Sequence, residues 1–232
     1  MIYVMSDIHG EYDKFKKMLK KIHFSDQDTL FLLGDLIDRG NQVCELLLDL
    51  SSRRNVYPLF GNHELMALSI LKRLYMEINE DNLSILDETF LLEIDNWMLN
   101  GGKTTLDGFK KLDKDQALDL IDYLSDFAYY ETIDVNDMTY IMGQAGMNHF
   151  DVNKTLDEYH IDDFCFDLID YEKQYFDDPN IKIITGHCPT FVSTGIAEIY
   201  FHNQHIAIDC GACYQEGKLG CLCLDTCQVY YV

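Results

Sequence analysis

The chain has 232 residues, 47% of them hydrophobic and three of them proline, which suits a folded globule and excludes a disordered chain. Its formal net charge of −22 repels phosphate backbones and excludes nucleic acid as a partner. No signal peptide opens the sequence and no apolar run approaches the roughly 20 residues of a bilayer span, so a soluble, cytoplasmic protein without membrane contact is expected.

In chain order, residues 2–5 read as a buried strand ending at Asp7, and 11–22 as an amphipathic helix with Phe15, Met18, Leu19 and Ile22 on one face. A strand over 29–33 ends at Asp35, a helix covers 42–50, and a third strand over 56–60 ends at Asn62. This alternation predicts a mainly parallel arrangement with functional residues at the carboxyl ends of strands. Helices are predicted over 64–78, 86–99 and 114–127, with a turn-rich loop over 100–105 between them. Because no Pro/Ser linker borders this stretch, 64–127 reads as a helical insertion within a single domain over 1–232. A hairpin over 129–142 turns at Asn136-Asp137, a helix is predicted over 161–176, a strand over 181–185, and short strands thereafter. The cysteines read as buried thiols: Cys221 and Cys223 alternate on a strand, a poor geometry for closing a zinc site with Cys210, Cys213 and Cys227.

The chemistry is concentrated in Asp7-Ile8-His9-Gly10, Gly34-Asp35-Leu36-Ile37-Asp38-Arg39-Gly40 and Gly61-Asn62-His63-Glu64, about 27 residues apart and each directly after an apolar run. Carboxylate, imidazole and amide donors delivered from successive strand ends suit a pair of divalent cations about 3.5–4 Å apart. Asp35, central in the middle signature, is the candidate bridging ligand. Asp7 and His9 reach one cation and Asn62 offers an amide oxygen to the other. Glu64 reads as a helix opener favoured by the dipole rather than a reacting group.

These three signatures resemble the calcineurin-like metallophosphoesterases, particularly the bacterial and phage branch of the phosphoprotein phosphatases. The resemblance implies an α/β sandwich of two central mixed sheets flanked by helices, with the C-terminal strands building the second sheet. It implies two bound divalent cations, manganese foremost with iron, zinc or magnesium as alternatives. It makes His63 the general acid, Asp38 its orienting partner and Arg39 a phosphate ligand. It extends to Gly186-His187-Cys188-Pro189, where His187 becomes a second-metal ligand. His23, His149, His160, His202 and His205 read as ordinary polar or core residues. Lys103 has two readings, a phosphate contact and a solvated loop lysine.

The chain departs from the family at two places. Gln144 stands where a metal-binding His is expected; its amide oxygen is a candidate ligand for the second cation but a weaker donor than imidazole, so that cation is expected to bind less tightly or to shift towards manganese or magnesium. Leu168 stands where a phosphate-binding Arg is expected, and no Arg follows Arg73. The expected activity is phosphoester hydrolysis, first on phosphoserine or phosphothreonine in proteins, alternatively on a small phosphoester such as diadenosine tetraphosphate. The two replacements also leave open an enzyme of reduced activity and a non-catalytic phosphate- or partner-binding module.

Overall fold

The computed structural model describes residues 1–76, 87–147, 149–151, 153–168 and 170–232. One five-stranded sheet contains β1 (Ile2–Met5), β2 (Thr29–Leu32), β3 (Val56–Pro58), β9 (Gly220–Cys223) and β10 (Val229–Tyr231), in the order β10-β9-β1-β2-β3. The other contains β4 (Tyr130–Val135), β5 (Met138–Gly143), β6 (Ile181–Thr185), β7 (Tyr200–His202) and β8 (His205–Ala207), in the order β4-β5-β6-β8-β7. In the first sheet β1, β2 and β3 run parallel while β9 is antiparallel to β1. In the second, β5, β6 and β8 run parallel, with β4 and β7 antiparallel at the edges. These are the two mixed sheets flanked by helices expected from the sequence. The expectation for the last strands is corrected: β9 and β10 return to the first sheet, where β9 pairs Leu222 with Val4.

Side-chain alternation divides the interior into two layers. Val4, Phe31 and Leu33 face Met142, Ile184 and Ile206 of the opposite sheet. Tyr3, Met5, Leu30 and Leu32 point the other way, onto Phe15 and Met18 of α1 (Tyr12–Lys21) and Leu46 and Leu50 of α2 (Val43–Ser51). Cys221 and Cys223 are buried on that same outer face, as expected of core thiols, and none of the eight cysteines is paired; the expectation of burial fails for Cys227, which is exposed, and for Cys188 and Cys213, which are half-buried. The helical stretch comprises α3 (Asn62–Tyr75), α4 (Glu88–Leu99), α5 (Lys103–Phe109) and α6 (Lys114–Ser125). The ends predicted at 78 and 86 lie outside the described residues. The predicted loop over 100–105 is partly helical, because Thr105 and Phe109 are buried one turn apart and carry α5 onto the body of the protein.

The helix predicted over 161–176 stops early, leaving only α7 (Ile161–Cys165). Beyond it the backbone bonds elsewhere: Gly146 N donates to the Asp167 carbonyl, and the Tyr175 and Phe176 amides donate to Gln204 Oε1. Groups held in this way cannot close an i→i−4 ladder. The last helix, α8 (Thr190–Thr194), follows β6.

Candidate active site

The carboxyl ends of β1, β2 and β3 carry Asp7, Asp35 and Asn62, and those of β5 and β6 carry Gln144 and His187. Both sheets thus deliver side chains to one edge of the sandwich. The signature loops are laced by backbone bonds, Asp7 N to Gly34 O at 3.1 Å and His9 N to Asp35 O at 2.9 Å. Asp7, His9, Asp35, Asp38, Arg39 and His187 all have positive φ, between 46° and 68°. Such backbone costs about 1–3 kcal/mol per residue and clusters where side chains are aimed for function. Gly186 is required by close approach, since a Cβ there would lie 2.1 Å from Asp7 Oδ2.

Glu64 organises the middle loop. Its Oε2 accepts from Asp35 N at 2.8 Å and Gly61 N at 2.9 Å, and its Oε1 from Leu36 N at 2.8 Å and Ile37 N at 3.2 Å. The fully buried carboxylate therefore clamps the Asp35 loop as well as opening α3, a role that the helix-dipole reading missed.

His63 Nδ1 lies 2.7 Å from Asp38 Oδ2, and Arg39 donates to His63 Nε2 at 3.1 Å. Asp38 is fully buried and is held further by Trp97 Nε1 at 2.9 Å and by the Thr105 hydroxyl. Burial alone would lower the His63 pKa, but the Asp35 and Asp38 carboxylates outweigh it and raise it above the ordinary value. The Arg39 guanidinium also reaches the Tyr214 hydroxyl at 3.3 Å, and its backbone N donates to Gly101 O.

Beside this pair lie groups that bear on cation binding. His9 Nδ1 bonds to the Ile37 carbonyl at 2.8 Å, leaving Nε2 turned towards Asp35 Oδ2 at 3.9 Å. The end of the Asn62 amide that faces inward lies 3.0 Å from His187 Nδ1 and 3.2 Å from Asp35 Oδ2. As nitrogen it donates to both; as oxygen it joins its lone pair to theirs around a common point. Asp7 accepts from His187 N at 3.0 Å on Oδ2 and from Gln144 Nε2 at 3.2 Å on Oδ1, while the buried Gln144 Oε1 has no partner among the described residues. Burial pushes Asp7 up to about 6 and Asp35 well above the carboxylate range, and pushes His187 down to about 4 and His9 well below the usual imidazole value. Crowded buried carboxylates beside imidazoles kept neutral form a donor set that divalent cations fit, since a cation favours every one of these basic forms.

The structure thus gathers Asp7, His9, Asp35, Asp38, Arg39, Asn62, His63, Gln144 and His187 at one edge. His9, Asp35 and His63 place donor atoms within 4.8 Å of one another, so His63 lies inside the cluster although both its nitrogens already have protein partners. Lys103 is not drawn in: its ammonium pairs with Asp107, one turn along α5. Leu168 is 61% exposed and offers no charge. Sequence reasoning missed Trp97, Thr105 and Tyr214, which come from distant segments without any local signal. It also missed Asp209, buried beyond the end of β8, whose pKa burial and Asp7 raise well above the ordinary range. A signal existed, since Ile208-Asp209 follows an apolar strand as Asp7 and Asp35 do.

Two relatives named symmetrical bis(5'-nucleosyl)-tetraphosphatases align over 100 residues, 42% of this chain. They come from Buchnera aphidicola subsp. Schizaphis graminum, 36% identical, and Nitrosococcus oceani, 35% identical. The match spans 35% and 36% of those relatives' own lengths, just over a third. Among solved structures, one described as a candidate diadenosine tetraphosphatase superposes with a TM-score of 0.65 at 17% identity, covering 100% of this chain and 92% of that one. A protein serine/threonine phosphatase from Saccharomyces cerevisiae gives 0.54 at 16% identity, covering 95% and 71%. At such identities these two likenesses concern the fold. Residues 1–201 match the calcineurin-like phosphoesterase model, and the chain belongs to that family of metal-dependent phosphoester hydrolases.

Proposed function

We propose that this protein hydrolyses a small phosphoric ester or anhydride, with a dinucleoside polyphosphate as the substrate class. The observation that carries the reading is the Asp38–His63–Arg39 chain set against the convergent Asp35, Asn62 and His187 donors. The named activity of the aligned relatives favours a nucleotide over a phosphoprotein.

Asp7, His9, Asp35, Asn62 and His187 would hold the cations. Bound divalent cations supply charge neutralisation on phosphoryl oxygens and acidify water. The protein's own groups do the rest. Arg39 binds phosphoryl oxygens, with Tyr214 and the Gly101 carbonyl fixing where its guanidinium starts. His63 holds a proton at Nε2 once substrate draws Arg39 away, and delivers it to the leaving oxygen; Asp38 keeps Nδ1 protonated and the ring oriented. Trp97 and Thr105, from the proposed insertion over 64–127, hold Asp38 in turn.

The test is turnover of diadenosine tetraphosphate and of a phosphoserine peptide with added manganese, for the native protein and His63→Ala. Hydrolysis of the nucleotide that His63→Ala abolishes supports the reading. Turnover of the phosphopeptide alone favours the phosphoprotein alternative, and inactivity on both removes the enzymatic reading.

A further inference from the structure

A cavity of about 340 Å³ lies between α3, α4 and α7, at the small end of the usual range for ligand pockets. Leu65, Met66, Ile161 and Phe166 give it an apolar lining, and Glu93 and Asn96 supply polar edges. It is not needed for anything derived above. Its position on α3 ties it to the candidate active site. Asn62, Leu65, Met66 and Ser69 fall at i, i+3, i+4 and i+7, which places them on one face of the helix. That face is also the accessible one: these residues are partly or fully exposed, while His63, Glu64, Ala67 and Leu68 between them are buried. This face leads from Asn62 to the cavity, whose first lining residue on α3 lies about 5 Å of helix rise further on. The other walls touch the site as well. Asn96 precedes Trp97, and the Phe164 carbonyl of α7 accepts from Ala145 N beside Gln144.

The lining selects what can enter. Among the described residues no lysine or arginine lines the cavity, whereas Glu93 and Asp162 do, which disfavours a phosphate chain there. Glu93 receives Arg73 at 2.9 Å and Ser69 at 3.4 Å on the same oxygen, Oε2. Phe166 is 44% exposed, a ring available for stacking. We propose that this cavity binds the nucleobase of a nucleotide substrate, the ring lying against Phe166 and Met66 and its amino group donating to the acidic edge, while the phosphoryl group meets Arg39. The inference rests on the phosphoester-hydrolase reading and assigns the substrate's uncharged end.

The test titrates adenosine, which carries no phosphate and needs no turnover, into the intact protein, followed by NMR or calorimetry. The expected result is saturable binding that Met66→Trp, filling the cavity, and Phe166→Ala, removing an exposed ring, each weaken about tenfold. The KM for diadenosine tetraphosphate should rise in the same proportion. Phe166→Ala keeps the test open if the larger side chain disturbs folding. Adenosine binding that neither variant alters, or no binding at all, overturns the proposal, as does saturation by an aromatic peptide such as N-acetyltyrosinamide but not adenosine. The two readings fail separately: adenosine bound at Met66 by a protein without hydrolytic activity keeps the cavity's assignment, while nucleotide hydrolysis without adenosine binding removes it.

Discussion

The Trp97 indole donates to Asp38 Oδ2 at 2.9 Å, the oxygen that also meets His63 Nδ1 at 2.7 Å. A tryptophan 59 residues away thereby fixes the carboxylate that fixes the imidazole. Trp97→Phe keeps an aromatic ring in this fully buried place and removes the N–H together with part of the bicyclic ring. Its expected effect is a fall of about tenfold in kcat with KM within about twofold, as befits loss of one charge-assisted bond behind the acid. Steady-state kinetics on diadenosine tetraphosphate decides it; a change in KM alone would mean that Trp97 shapes substrate binding instead.

Gln144 uses its nitrogen on Asp7, and its oxygen has no partner among the described residues. We expect the native protein to bind one manganese ion tightly and a second at least tenfold more weakly, and Gln144→His to bring the two affinities together. Calorimetric titration of metal-free protein measures this without any turnover. Two equal sites in the native protein would remove the argument.

Glu64→Gln replaces an acceptor for four backbone amides with a side chain that presents an NH₂ to some of them. Leaving buried donors unmatched should cost about 2–4 kcal/mol, and at this chain length lower Tm by roughly 5–10 °C. Differential scanning calorimetry checks it, and an unchanged Tm would show that the loop holds its shape without the clamp.

His205, on β8, is 1% exposed, packs edge-on against Tyr171 and Tyr175, and has no hydrogen-bond partner among the described residues for either ring nitrogen. Burial pushes its pKa down to about 4, against Asp170, which raises it, and alongside His202, which lowers it. The unfolded chain binds this proton below about 6.5 and the folded one only below about 4, so stability falls as pH drops through that window. The loss amounts to at most about 3 kcal/mol. Urea unfolding between pH 4 and 7 should show a shallower acid slope for His205→Phe than for the native protein; parallel slopes would exonerate this residue.

The parts legible in the sequence were those written locally. Asp7, Asp35 and Asn62 each follow a short apolar strand by a few residues, so the motif and the strand end are read together. His63 and Asp38 needed only the family likeness. The remainder depends on contacts across the chain: Arg39 to Tyr214 spans 175 residues and Asp38 to Thr105 spans 67, and neither residue announces its partner. The helix expected over 161–176 failed for a similar reason, because Gln204 captures its backbone from 28 and 29 residues downstream. Periodicity reports which face of a segment is greasy, not whether another segment takes its amides first.

The return of β9 and β10 to the first sheet has a consequence for biogenesis. Strand β1, which bears Asp7, has β2 on one side almost as soon as it is made, but its other neighbour is translated more than two hundred residues later. At about 5–20 residues per second the ribosome holds that edge open for at least ten seconds or so. The nascent chain is thus most exposed to mispairing or chaperone capture while its first three signature loops are already complete, and a premature stop between Pro189 and Gly220 would leave a product with every signature motif and an unclosed sheet.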